Sequence, residues 1–403
     1  MNLSPPIATR SAWRWVPVAA ALLALRKPWA LHTPQLWAED GSIFLQQDDE
    51  IGSRAIITPY NGYLHLLPRL IAWLASRAAD VAWWPAIYNG LAFAITVGVF
   101  ARLASARIAL PHKPWLMLAL PLTVSSAEPI INVTNLQSVT PLFLLLQLFA
   151  APAANAGQRA GDLTLLVLAG LNGPFAILFA PLFAWRAWRN RGADSALACG
   201  AIAACTTTQG LLLARAGVAL HTASEPLNPD GFLAVAGARL VSWPLFGPAA
   251  VRGWPASVHA VLALAVVGAL VWRAVNATHG RAWRTTVAIV FALLLTAGLS
   301  RARTDLWSAA DMANGDRYFF LPRVLLLWLL VAECFAPERA VAWLARGLGV
   351  LGLTLNAPHC MLPAPPDYRW AEHCDPIRRG VRADIKTLPE GWWIEYQGRP
   401  QKK

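Results

Sequence analysis

The sequence predicts an all-α fold, a polytopic transmembrane helix bundle of about eleven spans, each needing about 20 apolar residues to cross the hydrocarbon. Three observations carry that reading. Of 403 residues, 56% are apolar and only 14% charged, where a soluble domain carries about 25% charge. Mean hydropathy is +0.44. Long apolar runs recur between short basic connections. Together these exclude an ordinary soluble enzyme, a disordered chain and a nucleic-acid-binding domain. The net charge of +12 therefore reports which side of a membrane the cations occupy, not a polyanion partner.

The runs fall at 15–31, 83–103, 114–127, 136–151, 162–185, 195–213, 256–272, 285–300, 319–335 and 340–356. Arg10 and Arg14 mark an inner N-terminus on a retained first span, with no cleavage site of a signal peptide. The chain then emerges into a first outer loop, 32–62. The second run returns it to Arg102, Arg107 and Lys113 on the inner side. Arg159 and the Arg186/Arg189/Arg191 group also belong inside. That requires 162–185 to reverse as a hairpin at Leu171-Asn172-Gly173-Pro174, where Gly and Pro favour a break. Half-helices at membrane depth are tolerated when protein buries them. Arg273, Arg281, Arg284, Arg339 and Arg346 follow on the inner side. The bundle thus occupies 1–356, and 357–403 forms a short outer tail.

Segment 63–80 mixes Leu, Ile and Trp with His65, Pro68 and Arg69, as an interfacial helix does. If it spans instead, every later orientation shifts. Segment 232–249 is also apolar without fitting as a full span. Cys199, Cys205 and Cys334 sit in or beside apolar runs as small core residues. Cys360 and Cys374 flank a polar stretch and can pair if the tail faces an oxidising compartment. No cysteine cluster has metal-binding spacing, and no internal repeat is evident.

Three polar clusters fall on the expected outer face. Glu39 and Asp40 stand between aromatic and apolar residues, where a bare carboxylate must be solvated, paired or functional. A plain helix N-cap at Asp40 is the structural alternative. His65 and Arg69, four apart, share one helical face. A cation there suits a lipid phosphate, while the bland reading has Arg69 snorkel and His65 pack on rings. The second cluster holds Glu128, Asn132, Asn135 and Gln137, groups that can engage sugar hydroxyls, although Asn and Gln at helix ends are more often caps. Asn132-Val133-Thr134 matches a glycosylation acceptor but hugs the membrane. The third pairs Arg317 with Tyr318, a bidentate donor and a hydroxyl at headgroup depth, or simply interfacial anchors.

These residues resemble the C-type (GT-C) glycosyltransferase superfamily, in a bacterial branch. The likeness is carried by Trp37-Ala38-Glu39-Asp40-Gly41, the run from Tyr60 to Arg69, Asn132 to Gln137, Gly315 to Pro322 and Leu388-Pro389-Glu390-Gly391-Trp392. It spans nearly the whole chain through short motifs. It implies a multi-pass enzyme of the bacterial cytoplasmic (inner) membrane, moving sugar from a polyprenyl-phosphate donor to a lipid-, glycan- or protein-linked acceptor. The first-loop acid, Asp40 ahead of Glu39, would be the general base, and Arg69 and Arg317 would steady the departing phosphate. The acids are adjacent and not spaced by one residue as in metal-using members, so a divalent metal is not favoured. The alternatives are a transporter or flippase for lipid-linked saccharides, and a non-catalytic assembly subunit. No Gly-x-x-x-x-Gly-Lys-Ser/Thr phosphate loop points to a nucleotide-driven pump or kinase.

Overall fold

The computed structural model describes residues 9–217, 229–301 and 313–398. The side chain of Arg10 and residues 399–403 of the tail lie outside the described residues. The protein is 72% helix. Among the described residues, five helices are long and apolar enough to cross a membrane: Val81–Ala104, Ala193–Arg215, Ala256–Asn276, Arg281–Leu299 and Arg339–His359. At most 39% of any of these windows is buried inside the protein. The rest of their apolar surface is left uncovered by the described residues and calls for lipid.

The count falls short of about eleven because the other runs are short, broken or enclosed. Helix Lys113–Leu122 contains Pro121 and ends before Thr123, reaching only about 15 Å. The 136–151 run becomes a 3₁₀ turn, Thr134–Ser138, followed by helix Pro141–Leu148. Helix Arg317–Cys334 is buried on most of its faces and carries Arg317, Arg323 and Glu333, so it forms the centre of the bundle. Segment 63–80 forms helix Leu66–Ala78, 13 residues long with a strongly one-sided burial. At about 20 Å it is too short to span. Segment 232–249 forms one short apolar helix, Phe232–Phe246, with a π-turn at Ala238–Ser242 inside it, stopping at Gly247 with φ +82.

The hairpin within 162–185 is present. Helices Ala156–Gly170 and Phe175–Asn190 flank residues 171–174. Gly173 adopts φ +102 there, a conformation that only glycine takes without strain. Fully buried Gln209 pins the turn, donating to the carbonyls of Gly173 (3.0 Å) and Leu64 (3.2 Å) and accepting from the Leu64 amide at 2.8 Å.

The charges sort to two ends. At one, Arg102 and Arg107 hold Asp162 at 2.9 and 2.5 Å, Arg159 holds Asp194 at 2.7 Å, and Arg186 donates to the carbonyls of Gln147 and Ala150. Arg284 reaches Glu333 at 2.6 Å, and Arg273 pairs with the same carboxylate and with Glu338. His112 stacks on Phe335 at 3.9 Å, joining the two groups. At the other end lie the first loop, the 171–174 turn and the tail.

The tail is folded. Helix Trp370–Arg378 precedes an antiparallel hairpin, Ala383–Thr387 with Trp392–Tyr396. Leu388 pairs with Leu36 and Ala38, and Trp370 Nε1 donates to the Val81 carbonyl at 2.9 Å. A side chain at Gly41 would strike Ile394, at 2.5 Å from an added Cβ, so the tail packs directly onto the first loop. The Cys360–Cys374 bridge is not formed; both are free. Cys374 faces the tail's own core of Ile377, Ile385, Ile394 and Tyr396, whereas Cys360 follows the turn Ala357–His359. Cysteines introduced at Arg189 and Glu390 of a cysteine-free protein should react with an impermeant maleimide from opposite faces of sealed vesicles. Labelling from one face would overturn the two-ended arrangement.

Candidate functional site

The tail-side end gathers all three polar clusters. The residues leading into Asp40 turn sharply: Ala38 has φ +42, uncommon for a residue with a Cβ. Glu39 then precedes a π-turn, Asp40–Leu45, without capping it. Asp40 is fully buried and also caps no helix. Its Oδ1 accepts from the amide and the hydroxyl of Thr134, both at 2.6 Å. Its Oδ2 accepts from the amides of Val133 (3.3 Å) and Trp37 (3.4 Å). A carboxylate has about four lone-pair sites, and here the chain itself fills them. Burial still pushes this carboxyl up to about 7, against the Thr134 and Val133 donors. Asp40 is thus a tie between the first loop and the 128–138 segment, and not the cap of the turn that it opens.

Glu39 is partly exposed. It lies beside Tyr60, whose phenol is pushed up to about 12 by burial and then by the Glu39 carboxylate. It also lies in the field of Arg317. Arg317 forms an ion pair with Glu128, whose Oε2 accepts from the Arg317 amide at 3.1 Å. The guanidinium stands 5.0 Å from the Tyr318 ring centroid. The first, second and third clusters therefore meet around Glu39, Glu128 and Arg317.

Asn132 and Asn135 are buried scaffolding. Asn132 Nδ2 donates to the carbonyls of Glu128 (2.6 Å) and Ile130 (3.3 Å), and its Oδ1 accepts from the Asn135 amide and Nδ2. That leaves Asn132 no group for a sugar, nor for glycosylation. Ile131, just before Asn132, has φ +49, an outlier for a β-branched residue. Such backbone persists only where surrounding bonds over-determine it.

His65 and Arg69 converge on Phe44, with centroid distances of 5.6 and 5.2 Å. His65 also packs on Tyr60 and Tyr63, as its bland reading held. Arg69 does not snorkel: it is 1% exposed, and its three guanidinium nitrogens lack hydrogen-bond partners.

A cavity of about 410 Å³ opens at this end between the Phe175–Asn190, Ala193–Arg215, Arg281–Arg301 and Arg317–Cys334 helices. Asn61, Tyr63, Gln137, Arg317 and Tyr318 supply its polar groups, and Phe175, Ile177, Leu178, Leu213, Leu294 and Leu321 its apolar walls. Gln137, Arg317 and Tyr318 thus share one cavity, whereas Asp40, Asn132 and Asn135 build the shell behind it. Sequence reasoning missed Thr134 as a partner of Asp40, Gln209 as the pin of the hairpin, and Lys27. Lys27 Nζ donates to the carbonyls of Ala127 (3.0 Å) and Ile130 (2.7 Å). Spacing gives no signal for such long-range pairs. Among the described residues no group of three or more His, Cys, Asp and Glu is arranged for a metal. In comparison with known proteins, no family model, curated protein or solved structure matches the chain.

Two outcomes follow from this geometry. Thr134→Val strips the hydroxyl donor from a buried carboxylate while leaving the backbone amide in place, and should lower stability by about 1–3 kcal/mol, with Thr134→Ser close to wild type in thermal melts. Burial, then Arg69, pushes the His65 imidazole down to about 3. Below its unfolded pKa of about 6.5 the unfolded chain binds a proton that the folded one refuses. Stability therefore falls as pH drops, by about 2 kcal/mol at pH 5. His65→Phe should flatten that slope, and an unchanged acid profile would exclude His65 as its source.

Proposed function

We propose that the protein is an integral membrane glycosyltransferase, taking a sugar from a polyprenyl-phosphate donor at the outer membrane face. The observation that carries the reading is the cavity with a polar mouth at Arg317 and apolar walls between helices. A lipid-linked sugar needs such a division: an apolar channel for the prenyl chain and a cation at the phosphate.

In this reading the prenyl chain lies along Phe175, Leu178, Leu213 and Leu294, and the phosphate meets Arg317 and Tyr318. Arg317 stabilises charge as the bond from sugar C1 to phosphate oxygen breaks and that from C1 to the acceptor oxygen forms. Glu39 takes the acceptor hydroxyl proton. A base needs lone pairs within reach of that proton; partly exposed Glu39, hydrogen-bonded to Tyr60, is better placed to offer one than Asp40, which accepts from Thr134, Val133 and Trp37. Gln137 is placed to meet sugar hydroxyls. The acceptor is lipid-, glycan- or protein-linked, and the setting is the bacterial inner membrane with the tail outside.

The test supplies membranes containing the protein with a panel of polyprenyl-phosphate hexoses and pentoses. Glu39→Gln should lower transfer at least about 100-fold with an unchanged melting temperature, and Arg317→Gln should do likewise. Full-rate transfer by Glu39→Gln would remove the base. Vesicles that move the lipid-linked sugar across the bilayer without transferring it would establish the transporter instead. Full function with both acids replaced by Ala would favour an assembly subunit.

A further inference from the structure

A second cavity, of about 720 Å³, opens at the same end of the protein. Four segments form it: the turn after the first helix, residues 124–126, the 243–252 region and the start of the tail. The 124–138 segment borders both cavities, with Ser125 on this one and Gln137 on the other.

Among the described residues its titratable lining is basic: His32, Arg252 and His359. Two further cations stand directly behind the wall. Lys27 Nζ lies 4.7 Å from the centroid of Trp29, and Arg323 lies 5.0 Å from that of Trp243; both indoles line the cavity. Arg26, also buried, donates to the Ser125 hydroxyl at 2.9 Å. Arg323 has Asp316 as its counter-ion. Arg26 and Lys27 are 5% and 1% exposed and donate only to carbonyls and that hydroxyl. Neither forms an ion pair with a carboxylate among the described residues. Asp316 acts on Arg26 and Asp40 on Lys27 only through the field, and a buried cation without a direct ion-pair partner is costly. The indole N–H groups of Trp29 and Trp243 are themselves buried without hydrogen-bond partners. Among the described residues the wall thus offers basic side chains, unpartnered indole N–H groups and aromatic faces, and the carboxylate behind it, Asp316, is engaged by Arg323 and the Ser126 amide. The volume far exceeds that of a bare phosphate.

We propose that this cavity binds the acceptor through an anionic saccharide, a sugar ring carrying phosphate or carboxylate. Its role as acceptor site rests on the transferase reading; its ligand chemistry rests on the residues above. Donor and acceptor would then approach the Glu128–Arg317 pair from two cavities that share the 124–138 segment.

The experiment is calorimetric titration of the full chain in lipid nanodiscs with glucose 6-phosphate, glucuronate, glucose and inorganic phosphate. Both acidic sugars should bind at least about tenfold more tightly than glucose or phosphate. Exposed Arg252→Gln should weaken them about tenfold, and Trp29→Phe, which keeps a ring and removes the N–H, should weaken them several-fold. Equal binding of glucose, or no effect of Arg252→Gln combined with His359→Gln, would overturn the proposal. Phosphate matching glucose 6-phosphate would also overturn it, because the saccharide would then contribute nothing. Glu39→Gln should bind like wild type. Binding retained by a wild-type protein that transfers no sugar would end the transferase reading and leave this site standing.

Discussion

The carboxylate of Asp40 joins two loops 94 positions apart, and the candidate site hangs on that join. Neither loop has a ladder of its own, so their buried amides need other acceptors. Asp40 accepts from three of them and from one hydroxyl. Lys27 performs the inverse task, donating to carbonyls of the same segment at Ala127 and Ile130. Glu128 then fixes the segment to the central helix through Arg317. Three buried or half-buried charges thus hold residues 124–138 where a helix would ordinarily be held by its own hydrogen bonds. This dense fixation is what sustains the unfavourable backbone at Ala38 and Ile131.

Two further contacts make that end a rigid unit. The tail hairpin seats Ile394 over Gly41, where no Cβ fits, and pairs Leu388 with the strand-like residues 36–38. From the opposite side, Gln209 fastens the 171–174 turn to Leu64. The first loop is therefore clamped by elements from nearly every part of the chain. It is far from the mobile, solvent-swept connection that its position between two apolar runs suggests. The long lipid-facing helices contribute little to this end beyond framing the apolar cavity.

Much of this was legible in the sequence. The low charge content gave the all-helical, lipid-facing character, and Gly173-Pro174 gave the hairpin because backbone geometry there depends on local residue type. Basic residues marked one end of the molecule because electrostatics sorts them collectively, so that Arg102, Arg107, Arg159 and Arg186 gather as expected. Span length was less legible. The runs at 114–127 and 136–151 are apolar because protein encloses them, and hydropathy does not distinguish protein from lipid as the apolar partner. Within the site, residue type identified the participants but not their roles. Asp40 and Asn132 are polar and placed at the right end, yet their groups are consumed by partners from distant or local backbone. The folded tail was missed because five-residue strands on a loop lack any signal stronger than a turn.

The adjacency of Glu39 and Asp40 acquires a physical rationale from this division. Two neighbouring carboxylates at a membrane face repel, and burying both without partners would be expensive. Here the left-handed Ala38 and the π-turn that follows send the two side chains to different surroundings. One is enclosed and fully hydrogen-bonded, so its charge is dispersed over four donors. The other stays partly in solvent, in the field of Arg317. Asp40 fixes the backbone from which Glu39 projects, and a reactive group held by a rigid neighbour loses less freedom in reaching its working geometry. Replacing Asp40 would then disturb Glu39 through position, not chemistry. The division thus gives each acid a different physical task in the loop, one holding the backbone and the other facing the cluster around Arg317.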